Sequence, residues 1–309
     1  MISIVILTKN REAELERAVL SCFQRLRVEK EFVIIDNGDS VKTRTLIQKI
    51  AYSHPAERII YHTEHRNLGV SEGRNLGWTL SKGRYVLFLD DDAVVQEPSC
   101  SIEEIFSVFE KHPEVSIIAF DVYDPEYDLH LKPRITHKDY DQALFFIGAG
   151  HLICRERIHA VGLYPPVLRY GHEDLFLSLR NYQAGNTIYY ENRLQIKHYP
   201  SQVRDQFQEE KINGIINKYI VKQTIFPVRY HFLLWLGFIR RNIRFWKTDI
   251  AGLVRCCQLA EKRKRKIGNY PRLSQKQARQ LLKEFGADFL WEISHDNSDK
   301  QWERRNIHE

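Results

Sequence analysis

Residues 85–92 read Tyr85-Val86-Leu87-Phe88-Leu89-Asp90-Asp91-Asp92. An apolar run that ends in adjacent carboxylates predicts a buried strand with negative charge collected at one edge of a sheet. Because neighbouring carboxylates repel each other, we expect a positive charge beside them. Oxygen ligands at a strand end favour a hard divalent cation such as Mg²⁺ or Mn²⁺, which is commonly shared with nucleotide phosphates. A solvated acidic turn is the alternative interpretation.

The chain around this run alternates short apolar segments with amphipathic ones. Strands are predicted at about residues 2–7, 31–36, 58–62, 84–89 and 115–120. Repeated strand–helix–strand units favour an α/β fold, in which helices cover both faces of a mostly parallel sheet. Ligands of such sheets bind outside the carboxyl ends of the strands. The residues that follow the first, second and fourth strands are therefore of interest, at positions 8–11, 36–39 and 90–92.

The pattern is less regular after residue 120. Residues 121–142 are polar and predict a long loop or irregular strands. The next apolar block, residues 144–154, contains Gly148-Ala149-Gly150-His151, where the backbone is expected to approach a ligand and to line the acceptor side. Further elements are predicted in this order: a helix opened by residues 170–174, and strands at about 186–190 and 194–199.

The composition predicts an ordinary globular protein, since 43% of the 309 residues are hydrophobic. The chain opens directly on a strand pattern without a secretory signal. The longest apolar run, residues 232–239, is shorter than the roughly 20 residues of a membrane-spanning helix. Five scattered cysteines without a C-x-x-C pair favour reduced thiols over a zinc site. We therefore expect a cytoplasmic protein.

Positive charge is concentrated after residue 200, where the pattern becomes helical. Residues 201–309 hold 22 Lys and Arg against 12 Asp and Glu, a net charge of +10, which leaves 24 against 28, or −4, for residues 1–200. Interleaved aromatic and cationic residues within 232–283 predict a helix at an anionic membrane surface. They are Trp235, Phe238, Ile243 and Trp246 with Arg240, Arg241, Arg244 and Lys247. Helices packed on the first domain, with residues 262–266 as a solvated face, are the alternative, and no nucleic-acid-binding module is recognisable.

Five motifs in order resemble family 2 glycosyltransferases: residues 3–11, 33–38, 67–75, 89–92 and 171–174. The resemblance implies the GT-A fold, a mixed and mostly parallel sheet flanked by helices, over residues 1–200. Residues 1–120 would bind the nucleotide-sugar donor, and residues 121–200 would bind the acceptor. Residues 201–309, which the resemblance does not cover, would form a basic helical appendage. The implied activity is inverting transfer from a UDP, dTDP or GDP sugar to a hydroxyl of a glycan, lipid-linked or other acceptor.

The same resemblance implies a nucleotide pocket at the ends of the first two strands. Thr8, Asn10 and Arg11 would contribute to it, and Asp36 would accept a hydrogen bond from the base. A carboxylate suits uracil, thymine and guanine alike, so the base stays open. Asp-Asn-Gly is also a strong turn former, which is the alternative role of Asp36.

The third motif adds a glycine-containing loop before a helix. The resemblance places Asn67, Gly69, Ser71, Arg74 and Asn75 near the phosphates or ribose of the donor. Glycine lets the loop pass close to the ligand, a helix N-terminus directs N–H groups at phosphate, and arginine supplies charge. A plain helix N-cap at Ser71 explains part of the pattern without a ligand.

The acidic triplet corresponds to the metal motif of the family. Asp92, assisted by Asp90 or Asp91, would hold Mn²⁺ or Mg²⁺ against the donor diphosphate, and the remaining carboxylate would contact ribose or sugar hydroxyls. His198 occupies the place where some members supply an imidazole ligand. A structural histidine at a strand end is the alternative.

Two acidic residues at a predicted helix start would act on the acceptor. In an inverting displacement, a carboxylate takes the proton of the attacking hydroxyl, and Asp174 matches that base. Glu173 would orient the base or bind the acceptor. The alternative is that both carboxylates only interact with the helix dipole.

Parts of the same pattern also bear on three other functions. Asp90 and Asp92 also resemble the nucleophile and acid of haloacid-dehalogenase phosphatases, but that family carries its motif on the first strand. A dinucleotide-dependent oxidoreductase would need G-x-G-x-x-G after the first strand, and that motif is absent from the sequence. A non-catalytic module that binds sugar nucleotides stays open.

Overall fold

The computed structural model describes residues 1–158, 161–200, 207–246 and 250–290, without the side chains of residues 207–211 and 244–246. The strands are β1 (Ile2–Thr8), β2 (Lys30–Asp36), β3 (Arg58–Thr63), β4 (Tyr85–Asp90), β5 (Ala93–Val95), β6 (Val115–Asp124), β7 (Leu129–Leu131), β8 (Ile135–His137), β9 (Asp141–Ala143), β10 (Gly150–Cys154) and β11 (Thr187–His198). The helices are α1 (Glu12–Arg25), α2 (Val41–Ser53), α3 (Gly69–Leu80), α4 (Ile102–Lys111), α5 (Arg155–Ile158), α6 (Glu173–Gln183), α7 (Phe207–Ile225), α8 (His231–Trp246), α9 (Ile250–Lys264) and α10 (Gln275–Phe285).

The strands form one sheet in the order β3-β2-β1-β4-β10-β6-β11-β9-β8. Strands β3, β2, β1 and β4 are parallel, as the repeated strand–helix units predict. Strand β10 runs antiparallel to both β4 and β6, and β6 pairs in parallel with β11. The predicted mixed, mostly parallel sheet flanked by helices is therefore confirmed.

The second half of the sheet differs from the prediction in two ways. The strands expected at about 186–190 and 194–199 are one strand, β11, whose pairing with β6 shifts register between Glu191 and Gln195. Strand β6 continues to Asp124 instead of ending at residue 120. The extension is stable because Val122 is fully buried and Asp121 pairs with Gln195 of β11.

Helices α1 and α4 pack one hydrophobic cluster against one face of the sheet, and α3 and α5 pack another against the opposite face. The C-terminal helices α7 to α10 bury a third cluster against α6, where Phe176 meets the edge of the Tyr270 ring at a centroid distance of 4.8 Å. The hydrophobic core therefore continues across the proposed boundary at residue 200. Among the described residues, no helix is long and apolar enough to cross a membrane.

Candidate active site

The acidic triplet lies at the centre of the sheet edge. Asp90 ends β4, which pairs with β1 on one side and β10 on the other. The chain then turns into β5, which pairs antiparallel with the end of β11 so that Ala93 lies opposite His198. The backbone N–H of Tyr199 donates to the Asp92 carbonyl at 2.9 Å. This pairing brings His198 to the triplet across a separation of more than one hundred residues.

Asp90, Asp92 and His198 form a candidate metal centre. One ligand atom from each residue lies within 4.8 Å of the other two, and Nε2 of His198 is 3.2 Å from Oδ1 of Asp92. Two carboxylates and an imidazole fit a divalent cation, since carboxylates favour Mg²⁺ or Mn²⁺ and imidazole favours transition metals. The three residues that the sequence assigns to the metal are thus brought together.

Burial and acidic neighbours act in opposite directions on the His198 imidazole. Burial lowers its pKa, but the hydrogen bond that the imidazole donates to Asp92 and the charges of Asp92, Asp90 and Asp124 outweigh burial, so the pKa of His198 is raised. Asp124, the fully buried last residue of β6, is an acidic neighbour that the sequence analysis missed. A carboxylate at the end of a strand is a signal that the sequence contains. It was not recognised because β6 was expected to end at residue 120, four residues earlier.

Protein cations supply the positive charge that the triplet requires. Arg11 Nη1 lies 3.1 Å from Asp91 Oδ1 and 3.2 Å from Asp92 Oδ2. Burial, followed by the charge of Asp92, raises the pKa of Asp91 to about 7, although Arg11 opposes the shift. Arg11 is therefore brought beside the metal ligands, whereas the sequence predicted only that it contributes to the nucleotide pocket.

Arg74 lies between the acidic triplet and the start of α6. Its guanidinium donates to Asp90 Oδ1 at 3.0 Å, to Glu173 Oε1 at 3.0 Å and to the Gly148 carbonyl at 2.9 Å. Burial opposes the charge of Arg74, but Asp90 and Glu173 outweigh burial and raise its pKa. The buried guanidinium therefore joins two carboxylates and a backbone oxygen, and a direct contact of Arg74 with a phosphate or ribose stays a prediction.

The segment from Gly148 to His151 serves packing. A Cβ at Gly148 would lie 3.3 Å from Arg74 Nη2, and one at Gly150 would lie 2.8 Å from Ile196. His151 is fully buried, and its Nε2 lies 2.9 Å from the Tyr164 hydroxyl. Burial, and then the charge of Arg74, lowers the pKa of His151 well below its usual value. The His151 side chain is therefore part of the core, and the expectation that the segment from Gly148 to His151 lines the acceptor side stays a prediction.

Glu173 and Asp174 begin α6, as predicted, directly after His172 in the left-handed conformation. Glu173 is 6% exposed, and its Oε2 has no hydrogen-bond partner among the described residues. Asp174 is more exposed, and its Oδ1 accepts a hydrogen bond from the Leu175 N–H at 2.7 Å. Arg74 thus connects the metal side of the site to the carboxylate beside the proposed base.

The loop before α3 is fixed by the segment that precedes α6. Helix α3 begins at Gly69, which has a φ of +75°, so the predicted N-cap at Ser71 is wrong. The buried Ser71 hydroxyl donates to the Leu168 carbonyl. Asn75 exchanges two hydrogen bonds with the backbone of Tyr164, at 2.7 and 3.1 Å, and Asn67 Oδ1 accepts from the Gly69 N–H at 2.8 Å. Their roles in ligand binding stay predictions.

The end of β2 is shaped by Asp36. This buried carboxylate accepts hydrogen bonds from the Gly38 N–H at 2.8 Å, the Ser40 N–H at 3.0 Å and the Tyr61 hydroxyl at 2.7 Å. Those contacts match the turn alternative, and Tyr61 is a partner that the sequence did not indicate. Recognition of a base by Asp36 stays a prediction.

Thr8 and Asn10 lie at the carboxyl end of β1, next to the end of β2. The buried Thr8 lies opposite Asp36 in the parallel pairing of β1 and β2. Asn10 adopts a φ of +54°, and its side chain lies over Gly38, where a Cβ would collide with it. The structure therefore places both predicted pocket residues at the carboxyl edge, beside the acidic triplet.

Three proteins illustrate the likeness of this chain to known ones. An uncharacterized glycosyltransferase of Haemophilus influenzae is 35% identical over 118 residues, which cover 38% of this chain and 37% of that relative. A crystal structure of GalNAc-T7 with UDP, GalNAc and Mn²⁺ matches with a TM-score of 0.63 and 17% identity, over 96% of this chain and 58% of that one. The mannosyltransferase PcManGT from Pyrobaculum calidifontis, in complex with GDP-Man and Mn²⁺, matches with a TM-score of 0.54 and 14% identity, over 93% and 80% of the two chains.

Both structural matches show that this chain has the fold of glycosyltransferases. The chain covers less than half of the length of the Haemophilus relative. The family model for glycosyl transferase family 2 matches residues 3–162, which is just over half of the 309 residues. The matched range contains β1 to β4, the acidic triplet and helix α3, which holds Arg74. The chain belongs to glycosyl transferase family 2.

Proposed function

We propose that the protein transfers a sugar from a UDP, dTDP or GDP sugar to a hydroxyl of a glycan or lipid-linked acceptor, with inversion at the anomeric carbon. The observation that carries the proposal is the convergence of Asp90, Asp92 and His198 at the carboxyl edge of the sheet, in a chain of this family. The neighbours with UDP or GDP-Man and Mn²⁺ support a nucleotide-sugar donor.

In this proposal, Asp90, Asp92 and His198 hold Mn²⁺ or Mg²⁺. The ion, when bound, would neutralise the nucleoside diphosphate that leaves. Arg11 keeps Asp91 and Asp92 in place through its two short contacts. Arg74 keeps Asp90 aligned with Glu173, so the donor and acceptor sides of the site have fixed relative positions.

Asp174 takes the proton of the acceptor hydroxyl as that oxygen attacks the anomeric carbon. The helix N-terminus stabilises its carboxylate in the charged form that a base requires. Glu173 orients the acceptor through Oε2, the buried oxygen that has no partner among the described residues. The haloacid-dehalogenase alternative is wrong, because the chain belongs to the glycosyltransferase family.

The donor and the metal are tested by thermal shift. UDP, GDP and dTDP are each added with and without Mn²⁺, and we expect one nucleotide to raise the Tm most strongly with the ion, because a ligand of the native state stabilises it. Asp92→Asn and His198→Gln should weaken the Mn²⁺-dependent shift, whereas Asp139→Asn, an exposed carboxylate elsewhere, should not. A Tm that no nucleotide raises would contradict the proposal.

The base is tested by Asp174→Asn with the nucleotide and ion so identified. We expect donor binding to stay near native while transfer falls by roughly 10²-fold or more. Near-native turnover would exclude Asp174 as the base. Tight donor binding with no transfer in the native protein, for any acceptor offered, would favour the non-catalytic binding module.

A further inference from the structure

The C-terminal helices expose several large apolar side chains that lie close together in the sequence. Among the described residues, thirteen large hydrophobic side chains are exposed, and eight of them lie between residues 228 and 254. Solvent-exposed apolar residues that cluster in this way mark an interaction site. We call the following set the apolar patch: Val228, Phe232, Leu233, Trp235, Leu236, Ile243, Ile250 and Val254.

Five of the eight residues of the apolar patch lie on helix α8, which is anchored on its other side. Leu234 and Phe238 of α8 are 3% and 6% exposed, and the Phe238 ring stacks on Tyr219 of α7 with centroids 4.2 Å apart. In contrast, Phe232 and Trp235 are 66% and 43% exposed. Helix α8 therefore has two apolar faces, of which one packs in the core and the other faces solvent.

Cations accompany the apolar patch with almost no acidic residues. The sequence from residue 228 to residue 260 holds six Lys and Arg and one acidic residue, Asp249. Arg229, Arg240 and Arg255 are exposed. Lys247 lies outside the described residues, as does Asp249. Apolar side chains beside cations complement the boundary between acyl chains and anionic headgroups of a lipid bilayer.

The charge also decides between a lipid surface and a second copy of the chain. In a dimer with twofold symmetry, the apolar patch of one copy would pack against the apolar patch of the other. The exposed arginines of the two copies would then face each other. Like charges at an interface disfavour association. Since no described helix is long and apolar enough to cross a membrane, contact with lipid would be at the surface.

We propose that the apolar patch docks on an anionic lipid bilayer, with α8 lying in the plane of the headgroups. Phe232, Trp235 and Leu236 enter the acyl boundary, and Arg229 and Arg240 contact lipid phosphates. This surface is separate from the acidic triplet, so its lipid binding does not depend on the proposed sugar transfer.

The test is co-sedimentation of the full chain with vesicles at low salt, without any nucleotide. We expect binding to vesicles of equal parts phosphatidylcholine and phosphatidylglycerol, and weak binding to phosphatidylcholine alone. The double variant Trp235→Ser with Leu236→Ser should bind at least about tenfold more weakly, because it removes two inserted side chains. Tyr52→Ser, at an 89% exposed aromatic residue on α2, is the matched control and should bind like the native protein.

Charge reversal gives a second, independent comparison. Arg240→Glu should weaken binding to the anionic vesicles, whereas Lys49→Glu, an exposed lysine on α2, should have a smaller effect. Circular dichroism and Tm measurements establish that each variant folds. The proposal is overturned if native protein stays in the supernatant with anionic vesicles, or if the serine double variant binds as well as the native chain. It is also overturned if the apolar patch instead drives dimer formation in sedimentation velocity.

Discussion

Arg263 of α9 donates a hydrogen bond of 3.0 Å from Nη1 to Oδ1 of Asn217 in α7. The Nδ2 group of Asn217 in turn donates to the carbonyls of Tyr170 at 2.8 Å and Gly171 at 3.0 Å. Those two carbonyls lie in the turn that precedes Glu173. The C-terminal helices are thus connected through one amide to the start of α6, where the proposed base lies.

Asn217 is therefore expected to be a positioning residue. Asn217→Asp removes the donor to the turn but keeps an acceptor for Arg263, so the fold should persist. We expect kcat to fall several-fold while the KM for the donor changes little, because the donor side of the site is untouched. Asn213→Asp is the matched control, since Asn213 also accepts from Arg263, whereas the hydrogen bonds to the Tyr170 and Gly171 carbonyls come from Asn217. Equal kcat values for both variants would refute the positioning role.

Arg74 is predicted to stabilise the fold. Arg74→Met leaves Asp90 and Glu173 without their common partner, and Glu173 is buried. The free energy of unfolding should fall by about 3 kcal/mol, at the low end for buried pairs because Asp90 remains partly exposed. Denaturant titration measures the change. Arg66→Met, which breaks the exposed pair with Glu72, should leave the unfolding midpoint nearly unchanged.

Lys222 is predicted to make stability depend on pH. Burial, and then the charge of Lys218, lowers the pKa of this 4% exposed lysine well below 10.5. The unfolded chain therefore holds a proton that the folded chain releases, and stability should rise as the pH approaches 10.5. Lys222→Met should flatten this rise when Tm is followed across alkaline pH. Lys49→Met, at an exposed site, should keep the native slope.

Asp36 is predicted to stabilise the turn after β2. Asp36→Asn replaces one accepting oxygen by a donor opposite groups that donate, so the free energy of unfolding should fall by about 1–3 kcal/mol. Tyr61→Phe removes a single hydrogen bond to Asp36 and should cost about 1 kcal/mol. Thermal unfolding without nucleotide measures both changes. A native Tm for Asp36→Asn would show that the turn does not depend on this carboxylate.

The sequence was sufficient where local pattern decides the structure. The apolar runs located β1 to β4, and the rule that ligands bind at the carboxyl ends of parallel strands located the acidic triplet. Both features depend on periodicity and strand direction, which a single sequence carries. His198 was assigned to the metal through the resemblance to family 2 glycosyltransferases, and its role as a ligand stays a prediction.

The sequence was insufficient where contacts between distant segments decide the role of a residue. Ser71 has the chemistry of an N-cap, but its hydroxyl is taken by Leu168, which is 97 residues away. Gly148 has the flexibility for close approach to a ligand, but the space above it is filled by Arg74. Asp124 was missed because β6 is extended that far by pairing with β11 and β7, which lie elsewhere in the chain. Local propensity contains no information about such partners.

The pairing of β5 with β11 also has a consequence for biosynthesis. Asp92 leaves the ribosome 106 residues before His198, since 198 minus 92 is 106. At translation rates of about 5–20 residues per second, the nascent chain carries the carboxylates for roughly 5–20 seconds before the imidazole is made. A divalent ion captured early would meet an all-oxygen environment, and its nitrogen ligand would arrive only when β11 emerges and pairs.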